Sequence, residues 1–262
     1  MNRFFIFLIG ALLSASAFAF DHSAFDALLK KHVVLVDGGK ATKVNYGNFA
    51  KDRAQLKSYL DSISKVSATE YKGWNKNTQL AFLINAYNAY TIELILTKYP
   101  DLKSIKDLGG TFSSPWKKKF FTLLGEEKHL DDVEHGMIRA DGVFNEPRIH
   151  FVVNCASIGC PALRNDAITA DKLESQLEDS TKKFLADRSR NRIADGNVQI
   201  SKIFDWYGKD FAKGWKGYTS LNQFLAKYAD ALTENAADRQ ALAEGKLKTS
   251  FLDYDWGLNL AR

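Results

Sequence analysis

The segment from Thr78 to Tyr99 constrains the fold most, because apolar side chains cover nearly every side of a helix over this length. A surface helix keeps one polar face, whereas a helix that is apolar all round is buried inside a domain. The large apolar side chains of this segment are Leu80, Phe82, Leu83, Ile84, Tyr87, Tyr90, Ile92, Leu94 and Ile95. We therefore predict a central helix around which the rest of the chain packs.

Shorter helix and strand patterns surround this segment without a strict βαβ alternation. Hairpin signals occur within 33–46 and 120–130, and helical patterns within 48–63 and 171–188. A chain of this length is near the upper limit of what one hydrophobic core supports, and no Pro/Gly/Ser-rich linker divides it. The sequence predicts one α+β domain over residues 20–262, rich in helices, with a small mixed or antiparallel sheet around the buried central helix.

Residues 1–19 have the pattern of a signal peptide. Arg3 supplies a positive start, residues 4–13 an apolar stretch, and residues 17–19 a small-x-small cleavage site. The apolar stretch is too short to span a bilayer. We therefore expect a periplasmic or secreted protein with no membrane span after removal of the signal.

Charge and motifs restrict the partners. The chain carries a formal net charge of +5, and the excess is spread along it rather than concentrated in one strongly basic segment. No nucleic-acid-binding motif and no metal-ligand spacing is present, and the five histidines are scattered. We expect no nucleic-acid partner, no cofactor and no metal, and we expect a small-molecule or peptide ligand.

Two asparagines, Asn85 and Asn88, lie three residues apart within the predicted central helix. They share one helical face, and each costs about 1 to 3 kcal/mol if its amide is buried without a partner. One interpretation is that they hold a neighbouring loop by its backbone groups. The other is that they line a pocket or orient a catalytic group.

The segment from Pro147 to Pro161 is the strongest indication of a site. The run Ile149–Val153 is typical of a buried strand, and both cysteines of the chain, Cys155 and Cys160, follow it. Side chains at the end of a strand, on a turn held by a rigid scaffold, are well placed to meet a ligand. Two interpretations of the cysteines remain open: a Cys155–Cys160 disulfide, or Cys155 as a nucleophile.

A nucleophilic cysteine needs a nearby base, and two histidines are candidates. If the chain from His150 to Cys155 is extended, the two residues are about 16 Å apart and point to opposite faces, which disfavours His150. His135 follows a predicted helix start with Asp131 as N-cap and Glu134 completing a capping box, and it has no such restriction. We therefore predict His135 as the base.

These assignments define a predicted site. The predicted catalytic residues are Cys155, His135 and Glu134, with Asp131 or Asp255 as alternative orienting groups and Asn85, Asn88 or Asn154 as donors to an oxyanion. The residues predicted to bind or orient a ligand are Asn85, Asn88, Arg148, His150, Asn154, Ser157 and Asp255.

The motif set resembles that of the domain-of-unknown-function 547 family. The resemblance covers about residues 75–210, with a further motif at 254–259, and its motifs fall on the residues selected above. It supports a common site but implies no chemistry, because the family has no settled activity. The motifs are Ala81–Ala89, Asp131–Gly136, Pro147–Phe151, Asn154–Ser157, Cys160–Pro161, Tyr254–Trp256 and Leu258–Asn259.

Three function classes are compatible with this pattern. The first is a cysteine-dependent hydrolase or acyltransferase acting on amide or thioester bonds through Cys155. The alternative is a non-catalytic periplasmic ligand-binding module with a Cys155–Cys160 disulfide. A thiol-disulfide protein ranks third, because the usual two-residue spacing between redox cysteines is absent.

Overall fold

A computed structural model describes residues 19–110 and 113–261, so most of the predicted signal peptide lies outside the described residues. Over these ranges the chain forms ten α-helices. They are α1 (Ser23–His32), α2 (Tyr46–Lys51), α3 (Arg53–Ser64), α4 (Ala68–Gly73), α5 (Lys76–Leu96), α6 (Leu173–Ala186), α7 (Ile203–Trp206), α8 (Leu221–Lys227), α9 (Ala229–Leu232) and α10 (Ala236–Ala243). None of the described helices is both long and apolar enough to cross a bilayer.

The described part of the chain also contains seven short strands, which form three small sheets rather than the single sheet predicted. They are β1 (Val33–Val36), β2 (Ala41–Val44), β3 (Phe121–Leu123), β4 (Glu126–Lys128), β5 (Arg192–Ala194), β6 (Asn197–Ser201) and β7 (Lys248–Leu252). The pairs β1–β2, β3–β4 and β5–β6 are antiparallel, and β7 joins β6 in parallel. The structure thus confirms the helix-rich α+β class and the predicted hairpins, with several sheets in place of one.

Helix α5 confirms the predicted central helix. Of its 21 residues, 18 are buried. The Asn75 side chain caps the helix by accepting a hydrogen bond from the Thr78 backbone N–H, and the helix ends before Pro100, whose preceding residue disfavours helical geometry. The larger of two hydrophobic cores is built around this helix, and the smaller lies among α6, α7 and α8.

The strand predicted at Ile149–Val153 is wrong, because Pro147–Phe151 is a 3₁₀ helix. The residues are buried as predicted, but not on the two faces of a sheet. Such a helix has three residues per turn, so successive side chains point in three directions.

The side chains that point in these three directions lie in different environments. Ile149 and Val152 pack into the larger core, Phe151 packs into the smaller, and His150 and Val153 line a cleft. Packing against both hydrophobic cores therefore fixes the segment, and His150 lies on the side that faces the cleft.

Candidate active site

The cleft has a volume of about 280 Å³ and brings together the predicted cysteine and both candidate histidines. Cys155, His135 and Glu134 line it, and His150 and Asp131 do so as well. Six aromatic side chains form much of its wall: Tyr87, Trp116, Trp206, Tyr207, Tyr254 and Trp256. Among the described residues, no group of three His, Cys, Asp or Glu side chains is placed to hold a metal ion.

The cysteine loop, residues 154–161, is braced by side-chain amides. The Asn154 amide donates to the Pro161 carbonyl (2.7 Å), while its carbonyl oxygen accepts from the Ala156 backbone N–H (2.9 Å). Asn88 accepts from the Asn154 backbone N–H (2.9 Å) and donates to the Val152 carbonyl (2.8 Å). Asn154 and Asn88 thus hold the backbone on either side of Cys155 and lie outside the lining of the cleft.

Asn85 has a similar structural role at a different loop. Its amide donates to the Ile168 carbonyl (2.7 Å) and accepts from the Ile168 backbone N–H (3.0 Å). The residue that α5 contributes to the cleft is Tyr87, which lies between the two asparagines in sequence. The interpretation of the asparagines as loop clamps therefore accounts for their contacts.

Cys155 is surrounded by three polar groups. Its Sγ lies 3.0 Å from the Sγ of Cys160, 2.9 Å from the Ser157 hydroxyl and 3.1 Å from the Tyr254 hydroxyl. These groups stabilise a thiolate, so the pKa of Cys155 is lowered to about 7, chiefly by the hydrogen bond with Cys160 and against the effect of burial. Burial raises the pKa of Cys160. The two sulfurs are too far apart for a covalent bond, which is about 2.05 Å long, and both cysteines are free thiols.

The C-terminal segment, residues 254–259, completes this environment and forms none of the seven strands. It is held mainly by backbone bonds to the cysteine loop, where Ile158 N–H donates to Gly257 (2.8 Å), Gly159 N–H to Asp255 (2.8 Å), and Ala156 accepts from Asn259 (3.0 Å). At Gly159 a Cβ would lie 2.9 Å from the Tyr254 ring, so only glycine permits this close approach.

Asp255 shapes the C-terminal segment instead of orienting a histidine. Its carboxylate accepts from the Gly257 backbone N–H (2.8 Å), and its side chain lies outside the lining of the cleft.

His135 lies on a π-helix, Asp132–Ile138, a rare geometry that is frequent at functional sites. The predicted capping box is absent, because the Asp131 side chain makes no cap hydrogen bond. The carboxylates of Asp131 and Glu134 are 3.7 and 3.8 Å from the His135 ring, and Arg139 donates to its Nδ1 (2.7 Å). The Nδ1 lone pair is thus occupied, which leaves Nε2 as the protonated nitrogen of the neutral ring.

His150 has the surroundings of an oriented general base. Its Nε2 lies 2.8 Å from the Asp210 carboxylate, and its ring stacks on Tyr207 with centroids 4.1 Å apart. Burial lowers the pKa of His150 and so favours neutral imidazole. With Nε2–H donated to Asp210, the lone pair is on Nδ1, for which no partner occurs among the described residues.

The earlier exclusion of His150 assumed an extended chain. A 3₁₀ helix rises only about 2 Å per residue, and His150 and Cys155 line the same cleft.

Asp210 is a site residue that the sequence did not reveal. Burial alone raises its pKa, but hydrogen bonds with His150, Arg139 and Lys213 outweigh that effect and hold the pKa below its usual value. Asp210 is therefore ionised and keeps His150 in one tautomer. It lies 60 residues from His150 in the chain, and no local pattern links the two.

Arg148 lies away from the cleft, in an ion network that joins the buried Glu146 to the exposed Glu174. Its guanidinium donates to both carboxylate oxygens of Glu146 and of Glu174 at 2.7–2.8 Å, and to Glu178 at 3.3 Å. Ser157 contacts Cys155 directly, as described above, whereas Arg148 supports the 3₁₀ helix that presents His150.

Residues 71–185 match a family model described as "Protein of unknown function, DUF547". No curated protein and no solved structure matches the chain. The matched segment contains both cysteines, the two cleft histidines and Glu134. Asp210 and four of the six aromatic residues of the cleft wall follow it in the chain: Trp206, Tyr207, Tyr254 and Trp256. This match agrees with the resemblance of the motifs to the same family.

Proposed function

We propose that this protein is a cysteine-dependent hydrolase or acyltransferase that forms a thioester through Cys155. The observation that carries the proposal is a thiol with a pKa of about 7 in a cleft that two histidines also line. A thiolate is the nucleophilic form of cysteine, and the lowered pKa increases the fraction of this thiol that is ionised at neutral pH.

The reaction begins with attack of the Cys155 thiolate on the carbonyl carbon of an amide or thioester. The Tyr254 hydroxyl is next to the sulfur, and burial raises its pKa, so it remains a proton donor to the developing oxyanion. The histidine that took up the Cys155 proton when the thiolate formed then gives this proton to the leaving amine or thiol. In the second half, the neutral histidine removes a proton from water or another acceptor, which attacks the thioester and releases Cys155.

His150, oriented by Asp210, is the base that the hydrogen bonds favour, and His135 is the base predicted from the sequence. The aromatic wall favours a small-molecule or peptide substrate with apolar or ring-bearing groups beside the reacting carbonyl. The signal-peptide pattern at residues 1–19 further leads us to propose that the reaction takes place in the periplasm or outside the cell.

Alkylation of the reduced protein by iodoacetamide tests the state of the nucleophile. We expect the rate at Cys155, measured by peptide mapping, to rise with pH through a midpoint near 7 and then level off, because only the thiolate reacts. Cys160 provides the internal control, since its raised pKa keeps it protonated and slow over the same range. A midpoint at or above that of an ordinary thiol, about 8.5, or a faster reaction at Cys160, would contradict the proposal.

Acyl transfer from p-nitrophenyl acetate tests the chemistry and identifies the base. We expect one acetyl group to appear on Cys155 and none on the Cys155→Ala variant. Asp210→Asn, which preserves shape but removes the charge that orients His150, is expected to slow the hydrolytic release of the acetyl group from Cys155 by about 10²-fold or more. His135→Gln is the matched comparison and is expected to change the rate little. A reversed order of these two variants would assign the base to His135 instead.

A further inference from the structure

The two thiols of the cysteine loop form a close but unequal pair. Their sulfurs are 3.0 Å apart, so a shift of about 1 Å would bring them to the length of a disulfide bond. Cys155 is partly exposed, whereas Cys160 is only 6% exposed. Both cysteines line the cleft, and a small reagent that enters it meets the more exposed Cys155 sulfur first, with a second thiol 3.0 Å away.

The loop between the cysteines is already folded back on itself. The Cys160 backbone N–H donates to the Ser157 carbonyl (3.1 Å), and Ala156 has a left-handed backbone with φ +63°. The Cys155 backbone N–H points at the Cys160 sulfur, with a distance of 3.0 Å between the two atoms. This arrangement places the two side chains on the same side of the loop, so bond formation requires no rearrangement of the clamps at Asn88 and Asn154.

We propose that Cys155 is a site of oxidation by hydroperoxides and that Cys160 is its resolving thiol. In the first step the Cys155 thiolate attacks the outer oxygen of a hydroperoxide, the O–O bond breaks, and a sulfenic acid forms while the alcohol or water leaves. In the second step the Cys160 sulfur attacks the sulfenic sulfur, the S–O bond breaks, and a disulfide and one water form. The two thiols together lose two electrons and two protons, and the peroxide is reduced by the same amount.

The disulfide has two consequences for the protein. It withdraws the Cys155 thiolate from the cleft, and it prevents further oxidation to sulfinic acid, which is in general irreversible. A dithiol reductant restores both thiols by exchange. The loss of acyl transfer in the oxidised state rests on the proposed function, whereas the sulfur chemistry is independent of it.

The test compares the products of hydrogen peroxide treatment in the wild type and in Cys160→Ser, with dimedone as a trap for sulfenic acid. In the wild type we expect an intact mass lower by two hydrogens, a Cys155–Cys160 disulfide in the peptide map, almost no dimedone adduct, and full reversal by dithiothreitol. In Cys160→Ser we expect a dimedone adduct on Cys155 and, with excess peroxide, sulfinic acid that dithiothreitol does not reverse. Cys155→Ser should give neither product.

Products rather than rates are compared, because Cys160 also lowers the pKa of Cys155 and its loss slows the first step. Cys160→Ala serves as a second variant, with a circular dichroism spectrum to show that each protein is folded. Equal dimedone labelling in the wild type and in both Cys160 variants, or disulfides only between molecules, would overturn the proposal. Acyl transfer by the reduced wild type is measured in parallel, so that failure of the resolving step is distinguished from failure of the nucleophile.

Discussion

Replacing Arg148 with methionine is expected to lower the free energy of unfolding by about 3–5 kcal/mol, the usual effect of removing one partner of a buried ion pair. Arg148 is 4% exposed and Glu146 is 5% exposed. Methionine fills similar space but leaves the Glu146 carboxylate buried, with Lys216 at 3.3 Å as its remaining cation. Urea denaturation measures the change, with an unchanged slope showing that unfolding stays cooperative.

Two further variants separate this effect from the loss of a surface charge. Lys182→Met removes a cation from Glu178, which Arg148 also contacts, but the Lys182 side chain is 60% exposed and its loss is expected to cost less than about 1 kcal/mol. The double variant Arg148→Met/Glu146→Gln removes both buried charges and is expected to recover part of the stability. If Arg148→Met alone is as stable as Lys182→Met, the ion network around Arg148 contributes little to the free energy of unfolding.

The second large effect is expected for Asn88→Ala. The substitution leaves the Val152 carbonyl and the Asn154 N–H buried without their partner, and each such group costs about 1–3 kcal/mol. We expect a loss of stability of about 2–4 kcal/mol. Because these two groups lie directly before Cys155 in the chain, we also expect the midpoint of Cys155 alkylation to move above 7 as the cysteine loop loosens.

Asn85→Ala is the matched control for this prediction. It removes the same side chain from the same helix and also frees a buried carbonyl and a buried N–H, both at Ile168. Its loss of stability should therefore be similar, whereas the pH dependence of Cys155 alkylation should stay that of the wild type. If both variants shift the alkylation midpoint equally, the clamp at Asn88 has no specific effect on the nucleophile.

Local patterns were sufficient to predict much of this structure. The buried helix and the hairpins follow from periodicity and turn residues, which are properties of short segments. Cys155, His135 and Glu134 line one cleft, but the strand and the capping box from which they were selected are absent. The 3₁₀ helix at Pro147–Phe151 did not follow, because a β-branched run indicates burial without specifying how many surfaces bury it.

Two contacts of the site that local patterns did not predict join residues far apart in the chain, although Tyr254 itself lies in one of the family-like motifs. Asp210 lies on a separate short helix whose packing brings its carboxylate to His150. Tyr254 contacts Cys155 because backbone hydrogen bonds hold the C-terminal segment against the cysteine loop. Neither residue has a neighbour in sequence that indicates its partner. His135 was preferred as the base because a strand was predicted at Ile149–Val153, and an extended chain there would keep His150 away from Cys155. That strand is absent.

The dependence of the cysteine loop on residues 254–259 has a consequence for biosynthesis. Tyr254 is 99 residues later in the chain than Cys155. While the ribosome is still adding those residues, the nascent chain lacks the phenol beside the sulfur and the indole of Trp256 in the wall. The surroundings that lower the pKa of the Cys155 thiol are thus complete only after translation has passed Tyr254.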